Sequence, residues 1–206
     1  KSQGRCKMNK DSTKKSIKTR IVSAAWQLFY EKGYDQTTVD DIIALSGTSK
    51  GSFYYYFSTK DELLETLSNV LDDFYEELAG KMESSMNSFD KLLYLNEKAH
   101  EMIEKKVPID LLASLYSTQL TAKGNRHLLD KNRVYYRLIT EITEEGQRRG
   151  EIRQDKPVSE IVRYYSLCER ALISDWCLNQ GSYSLSSYTK EYMPVMMAYF
   201  RQKLEG

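Results

Sequence analysis

The sequence predicts an all-α fold, on three observations. Only three prolines occur in 206 residues, at Pro108, Pro157 and Pro194. No run of strict apolar–polar alternation is bounded by turn residues, as strands would require. Long segments instead carry apolar residues three and four apart, the spacing that gathers them on one helical face.

Taken in order, the first helix is expected from about Lys14 to Lys32, with Ile17, Ile21, Ala24, Ala25, Leu28 and Phe29 on one face and Gly33 as a left-handed cap. A short helix follows from about Val39 to Leu45, because Thr37 and Thr38 each precede an acidic residue by three positions, Asp40 and Asp41. Gly47 turns the chain, and Ser49 caps a third short helix that runs to about Phe57. Ser58 or Thr59 caps a fourth, starting near Lys60, whose stripe Leu63, Leu67, Val70, Leu71, Phe74, Leu78 and Met82 predicts one long lever between domains. Further helices are expected at about Ser88 to Lys105, Ile109 to Lys123, Asn125 to Arg149, Val158 to Gln180 and Ser187 to Leu204, separated by Gly, Pro or Ser. The first dozen residues are polar and basic without periodicity. The expected division is a flexible basic arm at 1–13, a compact unit at 14–60 and a larger helical unit at 61–206.

A hydrophobic content of 41% is enough for a packed core. No stretch reaches the roughly 18 to 20 apolar residues of a membrane span, and no apolar secretory core opens the chain, so the cytoplasm is the expected location and no membrane partner is expected. Cys6, Cys168 and Cys177 have neither zinc nor disulfide spacing and are read as reduced thiols, with no metal or cofactor. Net charge is +1, but residues 1–60 carry 11 Lys and Arg against 5 Asp and Glu, and the rest carries 19 against 24. That split suggests a basic DNA-facing module on an acidic body.

The informative stretch runs from Thr37 to Leu64. Two short helices joined by a Gly-containing turn, with a supporting helix before them, form a helix-turn-helix whose second short helix enters the major groove. Small and polar residues, Thr48, Ser49, Lys50, Gly51 and Ser52, stand at the start of that helix, where backbone N–H groups favour phosphate. Gly51 lets the backbone approach DNA, while Lys50 and Lys60 displace counterions from phosphates. Tyr54 and Tyr55 offer a flat ring and a hydroxyl for sugar, thymine methyl or phosphate. Phe53 and Phe57, four apart, are assigned to the core together with Tyr56, because successive residues cannot all point to one face.

This segment resembles the DNA-binding domain of the TetR/AcrR family of repressors. The resemblance covers about Lys14 to Leu64 and is carried by Phe29, Gly33, Thr37, Thr38, Val39, Asp41, Ile42, Gly47, Ser49 to Tyr54, Tyr56, Phe57 and Lys60 to Leu63. The remainder matches loosely, through helix order, a Gly150-Glu151-Ile152 turn and a C-terminal helix pair. Departures are Ile43 where alanine is frequent, Asp40 where a basic or polar residue is frequent, Tyr55 where histidine is common and Thr48 where valine is common. They bear on the operator sequence, and Asp40 puts a phosphate contact at its position in doubt.

The resemblance implies an N-terminal three-helix helix-turn-helix domain plus a larger helical ligand-binding and dimerisation domain. It implies DNA contacts at Thr37, Thr38, Thr48, Ser49, Lys50, Gly51, Ser52, Tyr54, Tyr55 and Lys60. It also implies a homodimer in which the last two long helices form a four-helix bundle with their symmetry mates. The sequence offers apolar stripes for this: Val158, Ile161, Val162, Tyr165, Cys168, Leu172 and Trp176, then Tyr188, Tyr192, Val195, Met196, Tyr199 and Phe200. Of these, Val158, Ile161, Tyr165, Leu172, Trp176, Tyr192, Val195, Met196 and Tyr199 are the expected interface. A small-molecule effector is expected between the middle helices, with Tyr94, His100, Met102, Tyr116, Gln119, Tyr135, Tyr136 and Glu169 as candidate lining. Adjacent aromatics suit a planar or cationic effector, and a buried Glu169 would complement positive charge.

The expected activity is therefore release of a dimeric repressor from a palindromic operator by an effector. An enzyme is not expected, because no Gly-rich phosphate loop, H-E-x-x-H or G-x-S-x-G is present and the two histidines, His100 and His127, are far apart. The competing expectation is a helical nucleoid or interaction protein that binds DNA without an effector.

Overall fold

The computed structural model describes residues 16–122 and 126–202. The expected arm and Cys6 lie outside the described residues. Ten α-helices follow one another: α1 (Ile17–Lys32), α2 (Val39–Ser46), α3 (Lys50–Tyr56), α4 (Asp61–Leu64), α5 (Thr66–Lys81), α6 (Ser88–Lys106), α7 (Ile109–Thr121), α8 (Val134–Arg148), α9 (Val158–Leu178) and α10 (Leu185–Met197). Among the described residues there is no strand beyond one antiparallel bridge between Ile152 and Arg201.

The caps explain the first boundaries. Ser16 accepts from the Thr19 amide at the start of α1. Thr38 and Asp41 form a reciprocal capping box on α2, which satisfies two amide groups that the helix itself cannot. Lys32 hydrogen-bonds Asp41, and this bond with those from Thr38 holds the Asp41 carboxyl well below the usual carboxylate range. Gly47 ends α2 in the left-handed region at φ 59°, a conformation that only glycine adopts at little cost. Ile21, Ala25 and Phe29 of α1, Ile42 of α2 and Phe53 of α3 are buried together, and this core continues without interruption into the later helices.

The single lever expected from Lys60 to Met82 is corrected to two helices. Hydrogen bonding changes at Glu65: the amides of Leu63 and Ser68 bond three residues back, to Lys60 and Glu65, and the Thr66 hydroxyl donates to the Leu63 carbonyl at 2.6 Å. Hydroxyls that bond preceding carbonyls loosen and bend a helix locally. Trp26 Nε1 of α1 donates to Thr66 Oγ1 at 2.7 Å, so the bend is also where α1 is tied to α5. The buried face of α5 is Leu67, Ser68, Asp72, Tyr75 and Leu78, whereas Val70 is half exposed. The apolar stripe read from the sequence is thus rotated from the true one, because Asp72 turns inward to meet Arg133.

The expected helix from Asn125 to Arg149 is likewise shorter. A 3-10 turn spans His127–Leu129, and α8 starts only at Val134, since Gln119 of α7 accepts the Leu128 amide and Arg133 is drawn to Asp72. The last helix ends at Met197, followed by a 3-10 turn over Ala198–Phe200, and the chain then pairs with the 151–153 turn.

That turn packs against the end of α8 at Gly146, where an added Cβ would stand 2.6 Å from Ile152 Cδ1 and 2.9 Å from Ser88 Cβ. Gly146→Ala is expected to destabilise the protein by about 1–3 kcal/mol through overpacking, read as a lower urea midpoint. An unchanged midpoint would show that the 150–152 turn moves away freely.

Candidate DNA interface and effector cavity

The face of α3 turned away from the core is built by its register. Phe53 and Phe57 are buried on α1 and α2, so the intervening positions must look outward. Tyr55 is 81% exposed and Tyr54 49%. Tyr56, assigned to the core from the sequence, is corrected: it is 37% exposed and stacks edge-on against Tyr55. Ser49 caps α3 by accepting from the Ser52 amide and shares a hydroxyl bond with Ser52 at 2.9 Å. Thr38 and Lys50 are exposed, and half-buried Thr48 bonds Ser46 across the turn at 2.8 Å.

A Cβ on Gly51 would meet nothing closer than Ser49 Oγ at 3.9 Å. Packing within the chain therefore does not require glycine there. Gly51→Ala is expected to leave stability unchanged or raise it by up to about 1 kcal/mol, since alanine is the better helix former. If α3 approaches DNA closely, the same variant binds duplex more weakly, and a variant that binds as the parent does would remove this argument.

Two of the expected DNA contacts are corrected. Thr37 is buried, and its hydroxyl donates to the Gly33 carbonyl at 2.8 Å, which keeps it inside the α1–α2 turn. Lys60 Nζ donates to the carbonyls of Tyr34 at 2.8 Å and Thr37 at 3.0 Å and sits 4.0 Å from the centre of the Tyr34 ring. Two of its three N–H groups thus close that same turn, and burial lowers its pKa below the usual lysine value. Lys50 faces Asp40 at 3.5 Å, both exposed, so the carboxylate offsets part of its attraction for phosphate.

Arg20 was not expected and is central to the motif. Its guanidinium donates to the carbonyls of Ser46, at 3.0 Å from Nε, and Gly47, at 2.7 Å from Nη2. It thereby neutralises the carbonyl end of α2 and fixes the turn that sets α3 against α2. Nothing in the sequence separates Arg20 from Lys18 and Lys32 on the same helix, because its partners are carbonyls of a turn far along the chain.

The later helices enclose a cavity of about 40 Å3 walled by α5, α6, α7 and α9 together with Leu128, Arg133 and Tyr135. Glu169 on α9 is buried in its wall and accepts hydrogen bonds from Tyr75, at 2.7 Å, and from Tyr135. Burial raises its pKa above the usual carboxylate range, while the two tyrosine donors and the nearby arginines oppose that shift. Arg133 is bound to Asp72 through two contacts, Nη2 to Oδ1 at 2.9 Å and Nε to Oδ2 at 3.1 Å. Arg170 donates to the Tyr136 hydroxyl at 3.3 Å.

Of the eight candidate lining residues, the structure brings Tyr116, Tyr135 and Glu169 to this cavity. The other five are corrected in that none lines the cavity as it stands. Tyr136 hydrogen-bonds the Leu128 carbonyl, and Gln119 accepts the Leu128 amide, so both secure the 127–129 turn. His100 is fully buried against Thr189 of α10, Met102 is buried elsewhere on α6, and Tyr94 is half buried on α6. The wall residues missed in the sequence, Leu71, Tyr75, Arg133 and Arg170 among them, come from segments far apart in the chain. Cys168 and Cys177 are free, and burial raises both thiols, Cys177 to about 11, which disfavours the reactive thiolate.

The expected interface is corrected in part. Ile161, Tyr165, Leu172 and Trp176 are buried inside the chain, and Val158 is half buried. The outward face of α9 is Tyr164, Leu167 and Leu178, the last 82% exposed. Tyr188, Tyr192 and Val195 on α10 and Tyr199 in the 3-10 turn after it do form an exposed stripe, with Met196 half buried beside it.

No helix among the described residues is long and apolar enough to cross a membrane. The family model of bacterial regulatory proteins, tetR family, matches residues 21–67. A second, described as YsiA-like protein, C-terminal region, matches residues 67–198. The chain is 28% identical over 192 residues to the HTH-type transcriptional regulator HbdR of Aromatoleum sp. strain CIB, covering 88% of this chain and 79% of that protein. It is 26% identical over 189 residues to the HTH-type transcriptional repressor KstR2 of Rhodococcus jostii RHA1, covering 90% and 92%. Among solved structures, the Thermus thermophilus FadR repressor in complex with lauroyl-CoA superposes with a TM-score of 0.70 at 20% identity, over 93% of this chain and 98% of that one.

Proposed function

The chain belongs to the TetR family of bacterial transcriptional regulators, and from that premise we propose that it is a dimeric repressor released from a palindromic operator by a small molecule. Residues 14–60 form the DNA-binding unit and residues 61–206 the unit that binds effector and partner subunit. The observation that carries this reading is the outward face of α3, where Lys50, Gly51, Tyr54 and Tyr55 stand exposed beside Thr38 and Ser49. A helix with this mixture of bare backbone, charge and flat hydroxylated rings suits a groove lined with phosphate, sugar and base edges. Titration of duplex DNA at low salt tests it: Tyr55→Ala is expected to weaken binding by about 1–3 kcal/mol. Equal binding by parent and variant would take α3 out of the interface.

The pairing surface follows from the exposed stripes of α9 and α10. Burying Leu167, Leu178, Val195 and Tyr199 against a second copy removes apolar area that a monomer leaves in water. Leu167→Glu combined with Val195→Glu is expected to give a folded monomer in sedimentation, with loss of operator binding. A dimer that survives both changes would place the interface elsewhere.

Effector control is read from the cavity's size. Small-molecule pockets hold roughly 300–1,000 Å3, so a cavity of about 40 Å3 is a closed state. Leu71 and Tyr75 of α5 are part of its wall, so a ligand that opens it displaces α5, and the Trp26–Thr66 bond passes that displacement to α1. Release requires tighter binding to the opened form, since equal affinity for both shifts nothing. Glu169 with Tyr75, Tyr116 and Tyr135 suits an effector carrying positive charge on an aromatic or apolar body.

A further inference from the structure

The core holds polar groups that neither α3 nor the Glu169 cavity uses. Asn96 and His100 stand one turn apart on α6, both fully buried, and Ile103 on the same face lines the cavity. Asn96 Oδ1 and Nδ2 and His100 Nε2 meet no partner in the protein. His100 Nδ1 is bonded to Thr189 Oγ1 of α10 at 2.5 Å. The Asn96 amide lies beside the Tyr165 hydroxyl, which donates to the Leu92 carbonyl at 2.9 Å. Three unpartnered polar atoms on one buried face are costly, and a fold keeps them only where something else satisfies them.

We propose that Asn96 and His100 form a polar subsite of the effector pocket, reached when the cavity opens past Ile103 along α6, and that it receives an uncharged hydrogen-bonding group such as an amide or alcohol. This rests on the reading of the Glu169 cavity as the effector site. The chemistry of the two side chains sets the class. The Asn96 amide both donates and accepts, and the free imidazole nitrogen does either according to tautomer. His100 is neutral, because burial holds its pKa near 3. Among the described residues no cationic side chain bonds Asn96 or His100, so a carboxylate placed there would be buried without a counter-charge. From Ile103 to Asn96 the helix rises about 10 Å, so the ligand is elongated. The arrangement also supplies the difference in affinity that release needs: these groups gain partners only in the opened, occupied form.

Matched eight-carbon probes test this on the full chain by thermal denaturation: octanamide, octanoate and octylamine. Octanamide is expected to raise Tm and octanoate to leave it unchanged. Asn96→Leu is expected to keep or raise the Tm of the free protein and to abolish the octanamide shift. A sharp fall in the free protein's Tm would overturn the proposal, because the amide would then be satisfied by ordered water as part of the resting structure. So would equal shifts from octanamide and octanoate, or a shift that survives Asn96→Leu. If octanamide fails while octylamine stabilises the parent and not Glu169→Gln, the subsite falls and the cavity stands. If no probe stabilises the protein, both fall.

Discussion

Arg133→Met is expected to cost about 3–5 kcal/mol of stability, the range for leaving one member of a buried ion pair without its partner. Arg133 and Asp72 are both buried, and their two contacts join the approach to α8 with the middle of α5. Asp72 also accepts the Tyr135 amide at 3.3 Å, and Arg133 reaches the Ser68 carbonyl at 3.4 Å, so the pair organises the backbone on both sides. Without the guanidinium, the Asp72 carboxylate stays enclosed against Ser68 and Tyr135. The double variant Arg133→Met with Asp72→Leu is expected to recover most of the loss, because two apolar side chains of similar volume need no counter-charge. Urea titration of the four proteins gives the cycle. A single-variant loss below about 1 kcal/mol would mean that water reaches the pair. Arg133 also lines the cavity with Tyr75 and Tyr135, so loss of the pair is also expected to loosen α5 and lower operator affinity.

The second large effect concerns salt. Residues 1–15 carry six Lys and Arg against one Asp, whereas residues 16–60 carry five against four. Within the latter, Arg20 and Lys60 are engaged by carbonyls, and Lys32 and Lys50 face Asp41 and Asp40. Six of the eleven Lys and Arg of residues 1–60 belong to the first fifteen. A variant without them is expected to lose about one unit of the slope of log K against log salt for each arm cation that meets a phosphate. Affinity at 50 mM salt should fall far more than affinity at high salt. An unchanged slope would assign the electrostatic attraction to α3 and its neighbours instead.

The fold was legible where local chemistry decides. Thr38, Gly47 and Ser49 announce their caps in the sequence, and Phe53 and Phe57 fix which way α3 faces. Legibility failed where a residue answers a distant partner. Asp72 breaks an apolar stripe, and only Arg133, sixty-one residues on, explains why it points inward. On α9 both faces are apolar, so periodicity could not tell Ile161 and Tyr165, which fill the core, from Tyr164 and Leu167, which remain for a partner. The Glu169 cavity draws its wall from segments spread between Leu71 and Ile173, a convergence that spacing along the chain does not encode. Arg20 and Lys60 show the converse: cations that sequence reasoning either passed over or gave to phosphate are used inside the fold to satisfy carbonyls at turns.

The most direct test is selection from a pool of random duplexes by the full chain at low salt, followed by sequencing of the bound fraction. The account predicts enrichment of a two-fold symmetric sequence with half-sites about one helical turn apart, lost when Tyr55→Ala and Gly51→Ala are introduced together. A bound fraction indistinguishable from the starting pool, or enrichment that the double variant retains, would contradict it.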